Sequence, residues 1–497
     1  MAAQTEVPSS NTSHVLALRE LTDLCNILGI QEPNTRLLEE ASKVLDTSVA
    51  VNLQGRRQLS FANVLTEFSG ATHTRYDHVI GTMTKVFLLT EQLKKNEPPT
   101  TITDEEELDV MIAACLHDVA HLPFSHPTER ALRSATYANI RGLEHEERIC
   151  RLLLSRAPLW EDVDSCLRNI GLNDERILGV CWMIAWPYME KLSLSNPGLY
   201  ASGKPRRFLG QMISSTFDMD RMDYIVRDAQ AIGYGPVTQV TPNLLRLILA
   251  YRLVRVLSGN RPGYTDYELC LPKAEVGVAC SLLVARLLMY KHVYFLPTLR
   301  AVESTYARLV GRLYALKTIP DPVEYLQCRD EDFLDHLADL IDICPCTEAI
   351  KKELLDDLHT CRNLPGRYKR LFVVRPEDIS HNPDREVFRS NIWNLEFLNQ
   401  LAENIRKLSG APLGPTDLLC DGLRIRPEKG GPFWIKDEDD ESYLPISHYV
   451  NGSNIHGLIE ELRLDIYVDK AKGDDSKARI GDAIKQVLNL STTPREI

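Results

Sequence analysis

Apolar residues recur three and four positions apart along most of this chain, the spacing that lines one face of an α-helix. The pattern starts near Leu16, breaks at Pro33 and runs to about Leu45. From there to about residue 315 the sequence reads almost entirely as helix, with clear cases at 79–94, 108–120, 145–155 and 274–290. Pro123, Pro127, Pro158, Pro187, Pro197 and Pro205 fall where such helices should stop. The last third changes character. Helices follow Pro320 and Pro322 to about Asp357, and then RLFVV (370–374) and LRLDIYV (462–468) carry the β-branched and aromatic content of strands. KDEDDE (436–441) predicts a solvated loop between them. The expected fold is mainly α, a helical core with a smaller α+β C-terminal region. The expected organisation is a disordered 1–12, a helical segment 13–46, a main helical domain 47–318 and an α+β region 319–497 suited to oligomerisation.

Composition narrows the partners. A chain of 497 residues has room for a large core. Its net charge of −12 argues against a broad, sequence-independent grip on nucleic acid, which needs clustered Lys and Arg. A small basic pocket for a phosphorylated metabolite remains compatible with it. The longest apolar run read, ILGVCWMIAWPYM (177–189), is too short to span a bilayer and contains Pro187. The first residues, MAAQTEVPSSNTSH, lack a secretory pattern, and twelve scattered cysteines without a CxxC pair fit a reducing compartment. These features predict a cytoplasmic protein, or a nuclear one in a eukaryote, without disulfides.

The chemistry concentrates in one stretch. Six of thirteen histidines fall between His73 and His145, around the dipeptide His117-Asp118. A lone buried histidine is more often a core residue than a ligand, but six near one His-Asp pair make a very odd core. His and Asp together hold catalytic metals. On a helix over 108–120, His117 and His121 share a face, and an ion at the helix end, marked by Pro123, is within reach of both His117 and Asp118. His78 is the natural second imidazole, with Arg75 one turn before it. Asp220 is the natural distant carboxylate, because Asp218, Asp220 and Asp223 crowd together and repel unless a cation or base neutralises them. Two imidazoles and two carboxylates leave positions open for water and a phosphate oxygen.

Five segments resemble the HD phosphohydrolase superfamily, named for its paired His-Asp metal ligands: FSGATHTRYDHVIGT (68–82), LHDVAHLPFSH (116–126), HEE (145–147), DMDRMDYIVRDA (218–229) and ARLLMYKHVY (285–294). Their order is similar to that of the dNTP triphosphohydrolase branch, which takes in SAM-and-HD-domain enzymes of vertebrates and bacterial dGTPases. The resemblance implies hydrolysis of deoxynucleoside triphosphates to deoxynucleoside and inorganic triphosphate by a homo-oligomer. It implies a divalent metal, Mn, Mg or Fe with Zn and Ni as further candidates, on His78, His117, Asp118 and Asp220. His121, His126 and His145 would be the catalytic histidines facing the phosphates. Arg75 and Arg221 would contact phosphate, and Arg286 the distal phosphate. Tyr224 and Asp228 would hold the sugar 3′-hydroxyl, and Tyr294 would pack under the deoxyribose, with Tyr290 beside them in the substrate pocket.

Some positions depart from the family. Tyr290 and Leu296 stand where relatives carry histidines, and Ser60-Phe61 takes the place of a Gln-Leu pair. Residues 13–46 are helical but too few for a SAM domain. HDVAH replaces the HDxxED of alarmone hydrolases, and IGYGP (232–236) is not the GYP signature of cyclic-dinucleotide enzymes. Two alternatives stay open: an HD phosphohydrolase for another phosphate ester (a nucleoside monophosphate, or a cyclic or short oligonucleotide), and a non-catalytic nucleotide-binding regulator.

Overall fold

The computed structural model describes residues 12–97, 102–134, 144–196, 205–257, 265–319, 322–363, 365–424, 433–437, 442–449, 462–491 and 494–496. Nearly all of the expected 1–12 segment and residues 438–441 of the acidic run lie outside these. The expected fold class holds: helices build one large core, and sheets are confined to small pieces.

Two long helices form the centre. Arg75–Asn96 starts at a reciprocal cap, in which the Thr74 hydroxyl accepts from Asp77 N while the Asp77 carboxylate accepts from Thr74 N. Asp104–Leu116 starts at the same device on Thr103 and Glu106, with four acidic residues in its first turn. The two pack side by side, and Met219–Ala231 packs against the first of them. Asp218 caps this third helix, accepting from the backbone N–H of Arg221 at 2.7 Å and of Ser215 at 2.6 Å.

The expected helix over 108–120 ends four residues early, at Leu116. His117–Ala120 are turns, so His117 and His121 do not share a helix face. Tertiary groups hold the chain beyond the helix end. The fully buried Arg56 donates to the carbonyl of His121, and Arg148 donates to the carbonyl of Ala120. Phe124 and Ser125 then adopt left-handed backbone, φ 57° and 52°, which costs non-glycine residues free energy unless their surroundings enforce it. Asp330 enforces it: its buried carboxylate accepts from Phe124 N at 2.7 Å and Arg57 N at 2.9 Å. Phe61 stacks on the Phe124 ring at 4.2 Å.

The helical reading to residue 315 also misses a sheet. Arg252–Leu257 and Thr265–Pro272 pair antiparallel, and Trp434–Lys436 joins the second of them in parallel, Cys270 opposite Trp434. Leu269, Cys270 and Leu271 are all buried, so this strand lacks the alternation that betrays a half-buried one. Lys436, expected in a loop, therefore ends a strand. The second sheet bears out both strand expectations, as Tyr368–Val374 and Leu462–Asp469, with Leu418–Arg424 on the far side. Its own core lies against Leu395–Ser409 and Gly473–Val487.

Buried ion pairs bolt this sheet to the helical lobe. Arg308, held to Asp357 of a neighbouring helix by bonds of 2.6 and 3.0 Å, donates to the Leu418 carbonyl at 3.3 Å and the Tyr368 hydroxyl at 3.2 Å, while Arg130 and Arg300 converge on the fully buried Asp421. The expected helix over 274–290 becomes Val276–Met289 followed by a wider turn, Tyr290–Tyr294. The stretch Lys273–Tyr294 is apolar and long enough to cross a membrane by composition, yet Arg286, Tyr290 and Tyr294 face an internal cavity. All twelve cysteines are free, eight of them buried.

Replacing Asp330 by Ala strands two backbone N–H groups, each costing about 1–3 kcal/mol. Urea denaturation of Asp330→Ala is expected to show a loss of at least about 2 kcal/mol. A loss within about 0.5 kcal/mol, ordinary for a surface change, would show that the turn stands without this carboxylate.

Candidate metal centre

Four donor groups meet where the three central helices converge. His78 comes from the first turn of Arg75–Asn96, His117 and Asp118 from the turn after Leu116, and Asp220 from the first turn of Met219–Ala231. His78 Nε2 lies 3.3 Å from His117 Nε2 and 3.0 Å from Asp220 Oδ1. His117 Nε2 is 3.8 Å from Asp220 Oδ1 and 3.6 Å from Asp118 Oδ1, and His78 Nε2 is 3.9 Å from Asp118 Oδ2. These are the spacings of ligands sharing one small ion.

The outer bonds decide which nitrogens face inward. His78 Nδ1 donates to Asp223 Oδ2 at 2.7 Å, and His117 Nδ1 donates to the carbonyl of Ala114 at 2.7 Å. Each neutral imidazole is thereby left with a bare Nε2 lone pair, as in metal-binding histidines generally. Two such lone pairs facing each other beside two carboxylates call for a cation. With none, a proton takes its place. Burial opposes charge on His78, yet Asp220 and Asp223 raise its pKa to about 10. The residues present thus fit a divalent metal ion.

A second histidine group borders the first. Asp118 Oδ1 faces His121 Nε2 at 3.2 Å and His145 Nε2 at 3.7 Å, and the two rings stack at 3.7 Å. Behind them sits Glu129, a buried carboxylate 3.0 Å from His121 Nδ1, 3.4 Å from His145 Nδ1 and 3.2 Å from His126 Nδ1. Burial, Arg75 and His145 push His121 down to about 4, so it is neutral near pH 7. His126 is 70% exposed at the cavity's edge. Asp118 is held well below the ordinary carboxylate range: burial opposes this, but Arg75, His117 and His121 outweigh it.

All fourteen residues named from the sequence line one cavity of about 500 Å³, the size of a small-molecule site. Several make bonds other than those expected. Arg75 donates to Asp118 Oδ2 at 2.5 Å and to Ser125 Oγ at 2.6 Å, so it fixes a ligand carboxylate. Arg221 turns its guanidinium back to the carbonyl of Thr216 and toward Asp218. Asp228 bonds not to Tyr224 but to the Tyr294 hydroxyl and His73 Nε2, each at 2.7 Å. Arg286 stays charged against burial because the Tyr224 and Tyr290 hydroxyls bond to it, and it lies 5.1 Å from the Tyr290 ring centre.

Sequence reasoning missed four participants. Glu129 lies one helical turn after His126, and that acid-after-histidine spacing is its only signal. In sequence Asp223 is one of a crowd, whereas in the fold the three aspartates act separately. Asp218 caps a helix, Asp220 faces the imidazoles and Asp223 orients His78. His73 orients Asp228. Gln58, Leu59 and Ser60 stand in the cavity wall, and Phe61 is in the core against Phe124. The Gln58 side-chain oxygen is buried without a partner.

The chain is similar to known proteins in sequence and in fold. Residues 75–177 match the family described as HD domain, and residues 250–405 the HD associated region. The chain is 26% identical over 260 residues to the uncharacterized protein YwfO of Bacillus subtilis, 52% of this chain and 48% of that one. It is 23% identical over 368 residues to the deoxynucleoside triphosphate triphosphohydrolase SAMHD1 of Gallus gallus, 69% of this chain and 55% of that one. It spans about half the length of the curated relatives it matches. A crystal structure of a hypothetical protein from Aquifex aeolicus shares the fold with a TM-score of 0.59, at 19% identity over 89% of this chain and 95% of that one.

Glu129 gives a pH-dependent test. Burial raises a carboxyl pKa, but His121 and the bonds from His126 and His145 hold Glu129 well below its ordinary value. A carboxylate depressed in the folded state contributes stability above its unfolded pKa, about 4.3, and loses it as the pH falls further. Glu129→Gln is expected to cost about 1.5–3 kcal/mol near neutral pH. The gap to the parent should narrow below about pH 4.3. Urea denaturation across a pH series reads both, and a gap independent of pH would show that Glu129 carries no charge.

Proposed function

Since the chain belongs to the HD superfamily, we propose that it is a metal-dependent phosphohydrolase that cleaves deoxynucleoside triphosphates into deoxynucleoside and inorganic triphosphate. One observation carries the reading. The inferred ligands, catalytic histidines, arginines and tyrosines line one cavity, with the four-donor centre between an aromatic end and a histidine-rich end.

His78, His117, Asp118 and Asp220 would hold the ion, with Mn, Mg or Fe the metals their nitrogen and oxygen donors suit. When bound, it supplies an acidified water and polarises a phosphate oxygen. The aromatic end would hold the sugar. Asp228 is fixed by His73 and Tyr294, and the Tyr294 ring lies 5.1 Å from Tyr290 and 6.4 Å from Tyr224. That wall leaves Asp228 to accept from a sugar hydroxyl and sets the Tyr294 ring against the side of the sugar where a ribonucleotide adds bulk. Arg286, braced by two tyrosine hydroxyls, places a charge that cannot titrate among the phosphates. Toward the other end, His126 has Nδ1 tied to Glu129 while the rest of its ring is exposed. It is the residue best placed to give a proton to the leaving oxygen. Neutral His121 and the neighbouring His145 would orient the phosphate beside Asp118.

The test incubates the purified protein with Mn²⁺, Mg²⁺ or Fe²⁺ and each dNTP and NTP in turn, and separates the products by chromatography. Release of deoxynucleoside and triphosphate is expected, and its loss in the His117→Ala, Asp118→Ala double variant with helix content kept. Turnover of monophosphates or oligonucleotides alone would favour another phosphate ester, and parent-rate turnover by the double variant would remove the site assignment. Tyr294→Ala is expected to relax discrimination against ribonucleotides by roughly tenfold or more, read as the ratio of kcat/KM for dNTP and NTP. An unchanged ratio would take the sugar-gating role from Tyr294.

A further inference from the structure

The centre has a third layer that reaches the N-terminal helix, Thr12–Leu28. Asp223, which orients His78, is itself held by two cations: Lys85 Nζ at 2.6 Å, and Arg227 through Nε and Nη2, both at 2.9 Å. The side chains of Asp223 and Lys85 are 1% and 4% exposed. Two full positive charges on one buried carboxylate leave an excess of one, which solvent screens only in part, at the 19% exposed Arg227. Glu20 supplies the balance. Its Oε1 lies 2.8 Å from Arg227 Nη2 and 3.5 Å from Lys85 Nζ.

The helix that carries His78 is shaped to admit this cluster. Gly81 lies under the Arg227–Asp223 pair, and a Cβ there would fall 2.1 Å from both Arg227 Nη2 and Asp223 Oδ1. A glycine inside a helix is unfavourable by propensity. Here the close approach of an ion pair to the helix requires it.

We propose that Glu20 is a positioning residue for the metal centre, acting through Lys85 and Arg227 on Asp223 and through Asp223 on His78. With Glu20 present the four groups are two cations and two anions, and Asp223 Oδ2, which His78 Nδ1 shares with Arg227 Nε, keeps enough negative charge to polarise the His78 Nδ1–H and raise the basicity of the facing Nε2. Without it, Lys85 and Arg227 both draw on Asp223, and an unmatched positive charge lies behind a metal ligand. Both changes weaken the hold on a cation. The N-terminal helix, which neither supplies a donor nor lines the cavity, thereby acquires a role in metal affinity. The inference rests on His78 being a ligand and is independent of the substrate.

The test uses the full chain with Mn²⁺ as probe, its dissociation constant measured by chelator competition and the Tm of each variant recorded. Glu20→Gln is expected to weaken Mn²⁺ binding by roughly three- to tenfold, less than the 10–100-fold typical of a direct partner of a ligand. Glu20→Asp, which keeps the charge on a shorter stem, should fall between this variant and the parent. Leu21→Ala removes a fully buried side chain from the same helix, and should lower the Tm while leaving Mn²⁺ affinity unchanged. Parent-like affinity in Glu20→Gln would overturn the proposal. So would equal weakening by Leu21→Ala, which would reduce Glu20 to helix packing. Failure of the parent to bind Mn²⁺ would remove the metal reading itself, and this proposal with it.

Discussion

Charge buried away from water has to be matched, and the architecture around His78 follows from that. Taking carboxylates and imidazoles out of solvent is expensive unless each meets an opposite charge or a hydrogen bond. Asp118 meets Arg75, Asp223 meets Lys85 and Arg227, and Glu129 meets three histidines. Asp220 is the exception. It keeps 30% of its side chain exposed to the cavity and faces two imidazole nitrogens whose lone pairs are unspent. The protein satisfies every other charge in the cluster and leaves one set of donors unsatisfied, and that set has the composition and spacing of a divalent-ion site.

The same need explains why the backbone is so heavily braced there. Histidines and carboxylates converge only if the chain leaves the Asp104–Leu116 helix at the right residue and turns sharply. Arg56 and Arg148 hold the carbonyls of His121 and Ala120 in the turn beyond the helix, and Asp330 and Phe61 hold the left-handed Phe124–Ser125 step. Asp330 lies in the region matched as HD-associated, and through it that region clamps the loop carrying the His-Asp pair. Arg308, through Leu418 and Tyr368, and the pairs on Asp421 in turn fix the C-terminal sheet to the helices, and Trp393 brings that part of the chain to the cavity wall.

Much of this is legible in the sequence, and the failures share a cause. Helical periodicity locates the central helices, because their buried faces repeat every 3.6 residues. His78, His117 and Asp118 stand out through the local density of histidines around one His-Asp pair, and Asp220 through its crowd of aspartates. What escapes is set by tertiary partners. No periodicity tells that the helix will end at Leu116 and its following turn be held by a buried arginine from far along the chain, or that ELCL (268–271) will be covered on both faces as a strand. Glu129, Asp223 and Glu20 escape because a buried carboxylate behind a histidine has the same sequence signature as a solvated acid on a helix. Arg75 and Arg221 look in sequence like free phosphate contacts, whereas packing gives each an internal partner.

The central claim is that His78, His117, Asp118 and Asp220 hold one divalent ion. Anomalous diffraction from crystals of the Mn²⁺-loaded protein tests it most directly. The account predicts a peak within bonding distance of His78 Nε2, His117 Nε2 and the carboxylates of Asp118 and Asp220. A loaded crystal with no peak there, or with its metal held only elsewhere, would contradict it.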